Sequence, residues 1–345
     1  VKKEYVDTLL LQQRLLSEGE KKRGPFEPLT EYALPGDEEE RKFGERLLAE
    51  GKAGCLLVAG GQGSRLGFEG PKGTFPIDEG TTLFRIFAEK TVKAGEKAGR
   101  PLPLAIMTSP ENDRETRAFF EKNRYFGLEQ EQLDFFSQGE LPILDDEGQP
   151  IPIDGGELAT GPDGNGASLF HFVNSGLWEK WRAAGVEYLS FVMVDNPLAD
   201  PFDPELLGFH KKRGCDAVVK AVRREGPDEK VGVLVEREGR IEVVEYSELP
   251  DEGKEYPIAN ISLFSLTLPL VKKAAEGEMP YHLAYKSIPG TEKRGWKFEK
   301  FIFDFLPFAE KVEVLLYPRK RCYAPLKNRT GPNSPETVRR ALGYN

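Results

Sequence analysis

Two basic side chains, Arg65 and Lys72, sit inside a glycine-rich stretch whose residue types suit an anion. The stretch Cys55–Ile77 starts with an apolar run, Cys55–Ala59, of the length and type of a buried strand. It then breaks into Gly60-Gly61-Gln62-Gly63-Ser64-Arg65-Leu66-Gly67 and reaches Pro71-Lys72. Glycine lets backbone N–H groups approach a phosphate or a flat base where a Cβ would intrude. Arg65 and Lys72 add fixed positive charge beside that cradle. Two common glycine loops do not fit. A phosphate loop needs Gly-Lys followed directly by Ser or Thr, and Gly70-Pro71-Lys72-Gly73 does not supply it. A dinucleotide GxGxxG loop needs its third glycine three places after the second, and Gly63 is followed by Gly67, one residue late. The longer pattern GGxGxRLGxxxPK, from Gly60 to Lys72, does fit.

Further chemistry-bearing residues are scattered. The apolar run Tyr188–Val194 stops at Asp195, and in open α/β sheets ligands sit beyond the carboxyl ends of strands. Asp195 could hold Mg²⁺ through one carboxylate oxygen, or simply start the turn that Asn196-Pro197 marks. Pro162-Asp163-Gly164-Asn165-Gly166 is either an ordinary turn or a surface for a base or sugar, with Asn165 offering donor and acceptor. Gln138 carries an amide near a strand end, able to read a base edge or to be solvated. Glu245 can accept from two sugar hydroxyls, Tyr246 can wall a ring, and the Asn260 amide must find partners if buried. Lys297 and Lys327 stand among apolar or rigid residues, where a lysine either snorkels at the surface or clamps a polyphosphate. His171, His210 and His282 are isolated, with no metal-ligand or triad spacing, and read as structural. The absence of a nucleophile with a matched base suits a reaction without a covalent intermediate.

The elements that must position these residues follow from periodicity. Strands are expected at Cys55–Ala59, Leu102–Met107, Leu133–Phe136, Tyr188–Val194, Ala217–Val222, Ile258–Leu266 and Val312–Leu316. Helices are expected over 4–18, with Val6, Leu9, Leu10, Gln13 and Leu16 in phase, and from Asp37 to Gly51. Others are expected after Thr81-Thr82, over Asn112–Asn123 and Leu169–Trp181, after Pro204, and over Phe298–Ala309. Hairpins are signalled at Asp145-Asp146-Glu147-Gly148 and at Arg237-Glu238-Gly239, between Val231–Glu236 and Ile241–Tyr246. From Leu326 onward the chain is polar and turn-rich. Strand–helix alternation predicts an α/β fold with a parallel, doubly wound sheet and an antiparallel insertion.

The totals set bounds. A chain of 345 residues is enough for one large domain with small additions. Lys+Arg 48 against Asp+Glu 57 gives a formal net charge of −9, which disfavours nucleic acid as a partner. Three scattered cysteines with no CxxC argue for a reducing compartment and against a zinc site. No run approaches the ~18 apolar residues of a membrane span and the start is not signal-like, so a cytoplasmic protein is expected. The first residue is Val, which leaves open a trimmed or processed chain.

The order of motifs adds a family resemblance. AGGQGSRLGFEGPKG, MTS with a following YFGL, FFSQGELP, PDGNG, VDNPLADP, VGV, VVEYSE, ANI, FEKFIFD and APLKN run from about Leu56 to Asn328. This resembles the UDP-N-acetylglucosamine (UDP-N-acetylhexosamine) pyrophosphorylase family more than the UDP-glucose pyrophosphorylases, whose first loop differs at Gln62 and Arg65. The resemblance implies a mixed, mainly parallel, doubly wound nucleotidyltransferase sheet, Rossmann-like and GT-A-like, whose antiparallel insertion binds sugar. It implies a helical leader over 1–52, a catalytic domain over 53–328 and a tail over 329–345, with the family's small β domain expected to be absent.

By the same resemblance, Val58, Ala59, Gly60, Gly61 and Gly164 would contact UTP through backbone, and Gln138 would read uracil. Lys72 and Lys297 would neutralise the triphosphate, Arg65 would lie along the phosphates, and Asp195 would hold Mg²⁺. Asn165, Glu245, Tyr246 and Asn260 would contact the sugar, and Lys327 would grip the sugar 1-phosphate. The implied reaction is attack of a hexosamine 1-phosphate oxygen on the α-phosphorus of UTP, in line, with pyrophosphate leaving. Glucose 1-phosphate or N-acetylgalactosamine 1-phosphate as substrate, and an inactive nucleotide-sugar sensor, are the competing expectations. A dehydrogenase is disfavoured by the late third glycine, and a monomer is slightly favoured.

Overall fold

A computed structural model describes residues 3–18, 24–153, 156–250, 254–288 and 291–344. Ten strands form one sheet among these residues: β1 (Glu27–Pro28), β2 (Ala53–Val58), β3 (Leu104–Thr108), β4 (Leu133–Ser137), β5 (Tyr188–Met193), β6 (Ala217–Arg223), β7 (Val233–Arg237), β8 (Arg240–Val244), β9 (Ile258–Thr267) and β10 (Val312–Tyr317). Strands β5, β2, β3 and β4 lie side by side and parallel. Beyond β5 the sheet turns antiparallel through β9, which also pairs with β6 and β7, while β10 adds to β6 in parallel. The fold is thus the expected mixed α/β sheet with a parallel core.

Strand β2 shows why. Each of its six residues is buried, as expected for a strand with parallel neighbours on both sides and helices on both faces. Cys55 and Leu57 pack into one apolar layer with Leu47, Phe84, Phe87 and Leu206, whereas Leu56 and Val58 pack into the other with Phe172, Trp181 and Val271. The first layer is covered by α2 (Glu38–Ala49), α3 (Leu83–Ala98) and α7 (Pro204–Arg213). The second is covered by α5 (Ser168–Asn174), α6 (Leu177–Ala183) and α8 (Leu268–Glu276). Caps are local: Asp37 accepts from the N–H groups of Glu39 and Glu40, and Thr82 accepts from that of Arg85. At the β7–β8 turn Glu238 and Gly239 both have positive φ, 52° and 74°, the geometry of a two-residue hairpin. The Asp145–Gly148 turn also forms, with Leu144 bridged to Pro150.

Four expectations are corrected. The single helix over Leu169–Trp181 is two, broken where Gly176 takes φ 81°. Phe298–Ala309 is not a helix: Arg294–Glu299 is a strand paired with His282–Ser287, and Ile302–Phe308 is a 3₁₀ segment containing Pro307. The tail carries a helix, Pro335–Leu342, with a Ser334 cap and fully buried Val338. In α1 (Lys3–Glu18), Leu10 is 59% exposed and the inward position is Gln12, whose Nε2 donates to Pro142 O at 3.0 Å. The side chain of Val6 lies outside the described residues. No helix among the described residues is long and apolar enough to cross a membrane.

Candidate nucleotide site

The first glycine loop leaves the carboxyl end of β2 and folds back on itself. Val58 O accepts from Val194 N–H at 3.0 Å, and Ala59, fully buried, donates its N–H to Met107 O at 2.8 Å. Past that point the backbone parts from the sheet. Gly63 N–H donates to Gly70 O at 2.9 Å and Lys72 N–H donates to Gly61 O at 3.0 Å, so residues far apart in the loop close a bracket. Arg65 stands exposed on a one-turn 3₁₀ segment, Ser64–Leu66. A Cβ on Gly60 would lie 2.6 Å from Gln138 Oε1, so the bare glycine leaves room for that amide beside the loop. Buried Asn112 anchors the loop from outside, donating from Nδ2 to Ala59 O at 3.1 Å and Gly61 O at 3.4 Å. No motif singled out Asn112; it heads α4 (Asp113–Lys122) and reads as a simple helix start.

Asp195 follows β5 on the same edge of the sheet. Its carboxylate makes no hydrogen bond to, and no ion pair within 4.0 Å with, another described side chain, which leaves it available to a ligand. Its neighbour Asn196 is buried and serves as a staple: Nδ2 donates to Cys322 O at 2.8 Å and Oδ1 accepts from Ala324 N–H at 3.1 Å. Leu326 N–H donates to Asp195 O at 2.7 Å, which brings Lys327 to the site from late in the chain. Burial, then the positive charges of Arg65 and Lys327, lowers the Lys72 pKa against the pull of Asp195. Burial also disfavours charge on Lys327, but Tyr323, Asp195 and Glu245 outweigh it and hold its pKa up.

The second glycine loop faces the first. Gly164 takes φ 94°, and a Cβ there would meet Lys300 O at 2.3 Å, so the turn requires glycine twice over. Asn165 Oδ1 accepts from Ile302 N–H at 2.9 Å. The Lys297 stem runs beside Gly161, its Cδ 3.5 Å from where a Cβ would stand. Two of the histidines read as isolated have carboxylate partners: His171 with Asp163 at 2.5 Å, and His282 with Asp304 at 2.7 Å. His210 is structural, its imidazole held between Ser265 Oγ and Cys215 O.

One cavity of about 250 Å³ brings together Val58, Gly60, Gly61, Lys72, Gln138, Gly164, Asn165 and Asp195. Glu299 and Phe301 also line it; both lay in the segment expected to be helical. Ala59, Arg65, Lys297 and Lys327 are not part of this wall. Glu245, Tyr246 and Asn260 lie outside it too. Glu245 follows β8, its pKa raised by burial and Glu248 while His282 and Lys327 pull it down. Tyr246 is 41% exposed, and buried Asn260 uses Oδ1 to accept from Ser262 N–H at 3.2 Å across a bulge in β9. A larger cleft, about 740 Å³ between Tyr32, Arg240 and Phe308, has no glycine loop, so size alone does not pick the site.

A glycine loop and an acidic strand end, facing each other at the carboxyl edge of parallel strands, mark the edge where ligands bind in the doubly wound α/β class. The chain belongs to the family described as UTP--glucose-1-phosphate uridylyltransferase, whose model it matches over residues 25–266. It is 38% identical over 329 residues to UDP-N-acetylglucosamine diphosphorylase 1 of Arabidopsis thaliana, covering 86% of this chain and 65% of that protein. It is 32% identical to UDP-N-acetylglucosamine pyrophosphorylase of Saccharomyces cerevisiae, covering 92% and 74%. The chain therefore spans just under two thirds of the Arabidopsis relative. Among solved structures, the uridine diphosphate N-acetylglucosamine pyrophosphorylase of Trypanosoma brucei, in complex with an inhibitor, superposes with TM-score 0.87 at 30% identity, covering 99% of this chain and 76% of that one.

Proposed function

We propose that this chain transfers a uridylyl group, forming UDP-N-acetylglucosamine and pyrophosphate from UTP and N-acetylglucosamine 1-phosphate. The observation that carries the reading is the single cavity where the Gly60–Gly61 backbone, Lys72, Gln138, Gly164, Asn165 and Asp195 meet. The names of the Arabidopsis and yeast relatives support the sugar. In this reading the Gln138 amide lies flat on Gly60 and reads the uracil edge, with Gly164 across from it. Lys72 meets the phosphates from the closed bracket, and Arg65 lies along them. Lys297 and Lys327 add charge from the sides, Lys327 toward the sugar 1-phosphate. Asn165, Glu245, Tyr246 and Asn260 face the hexosamine.

The donor set fits Mg²⁺ carried in by the triphosphate. Asp195 offers one free carboxylate, and no group of three or more His, Cys, Asp or Glu side chains among the described residues forms a cage. When bound, the ion neutralises phosphate charge. The chain's own part is positional. Holding the two anions in line lets an oxygen of the sugar phosphate form a bond to the α-phosphorus as the α–β bridge breaks and pyrophosphate departs with its electron pair. The test is pyrophosphate release from UTP and Mg²⁺ with each of three 1-phosphates: N-acetylglucosamine, N-acetylgalactosamine and glucose. Fastest release with the first is expected. Preference for glucose 1-phosphate, the sugar in the family's description, moves the assignment to that sugar, and release with none of them overturns it.

A further inference from the structure

His171 on α5 touches both segments that face the base side of the cavity. Gly139, directly after Gln138, donates its N–H to His171 Nε2 at 3.0 Å, and the same Nε2 lies 2.5 Å from Asp163 Oδ2. The backbones are tied as well: Asp163 N–H donates to Gly139 O at 3.2 Å, and Lys300 N–H donates to Asp163 O at 2.8 Å. Space is fully used, since a Cβ on Gly139 would stand 2.6 Å from Asp163 Oδ2 and 3.1 Å from His171 Cε1. Asp163 is buried, its Oδ1 has no hydrogen-bond partner, and His171 is the sole hydrogen-bond partner of its carboxyl group among the described residues. A single ring nitrogen, Nε2, thus meets both Gly139 N–H and Asp163 Oδ2, so the position of one neighbour is tied to that of the other.

We propose that the Asp163–His171 pair is a positioning device for the base pocket. It holds Gln138-Gly139 against Pro162–Asn165 so that the Gln138 amide meets the edge of a uracil. The proposal rests on the uridine-nucleotide reading given above. The test is calorimetric titration of the full chain with UTP and with CTP, and steady-state KM for UTP and for the hexosamine 1-phosphate. His171→Phe keeps the ring but loses the contact, and is expected to weaken UTP about tenfold. CTP binding should change little, so discrimination between the bases narrows, and KM rises for UTP but not for the sugar phosphate. His171→Gln, whose amide offers an acceptor to Gly139 and a donor to Asp163, is expected to recover most of the loss. Asp163→Ala removes the contact from the other side, and carries the test should the phenylalanine chain fail to fold. Unchanged UTP affinity in both disruptive variants, or an equal loss for UTP and CTP, overturns the pair's role alone. Failure of the wild-type chain to bind any uridine nucleotide overturns the functional reading, and this one with it.

Discussion

At the scale of single residues, Lys72 is where burial and function pull against each other. Its pKa is lowered from the ordinary 10.5, so it gives up its proton at a lower pH than a solvated lysine does. If charged Lys72 meets UTP, kcat/KM for UTP falls as pH rises, starting below 10.5; bound triphosphate restores the charge, so the fall in kcat comes at higher pH. Lys72→Arg, always charged, should push the alkaline fall in kcat/KM out of range. Lys72→Ala should lose roughly 100-fold or more in turnover. Linkage adds a sign: with the folded pKa below the unfolded one, charge on Lys72 opposes folding in full at neutral pH and ceases to as pH rises through that window. Hence Lys72→Ala should melt no lower than wild type, which a thermal scan checks. Residues with unusual backbone or charge, such as Gly60, Lys72 and Gly164, were legible as sequence. Asn112 and His171 were not, because a hydrogen bond to a carbonyl 51–53 residues away, or from an N–H 32 residues away, leaves no local pattern.

Elements tell a similar story about close approach. Helices α2 and α7 cross where glycine faces backbone on both sides. A Cβ on Gly44 would stand 1.8 Å from Pro204 O, and one on Gly208 would stand 1.8 Å from Glu40 O. Neither helix has room to yield, since α7 also covers the sheet with buried Leu206, Leu207 and Phe209. Gly208→Ala should therefore cost about 3 kcal/mol by overpacking, although alanine has the better helix propensity; denaturant unfolding measures it. A cost under about 0.5 kcal/mol would mean that the helices separate freely. The sequence foretold both helices but not their contact, because an isolated glycine in a helical pattern is ambiguous. Similarly, Leu169–Trp181 kept its apolar period across the break at Gly176, so the period alone implied one helix. Residues 294–308 misled for another reason. Their strand has no clean inside–outside alternation, and its partner, His282–Ser287, is half exposed, so the Pro289-Gly290 turn signal between them had no strand pattern to join.

For the molecule as a whole, the cavity is a meeting point of distant segments: Val58, Lys72, Gln138, Gly164, Asp195 and Phe301 all reach it. A ligand there ties the chain to itself in many places, so UTP with Mg²⁺ should stabilise by about 2.7 kcal/mol at a hundredfold excess over Kd. A rise of several degrees in Tm is expected, and no shift at saturating UTP would contradict the assignment. The order of motifs made the topology legible up to the β5 edge, where parallel pairing ends. Past it, the antiparallel turn of β9 depends on pairings that alternation does not encode. Asn196 holds a carbonyl and an N–H that come 126 and 128 residues later, and Lys327 follows in the same segment. A nascent chain leaving the ribosome has the glycine loop and Asp195 long before it has their cationic partner. In the proposed reaction, transfer therefore cannot begin until synthesis has passed Lys327, when the segment after β10 completes the site.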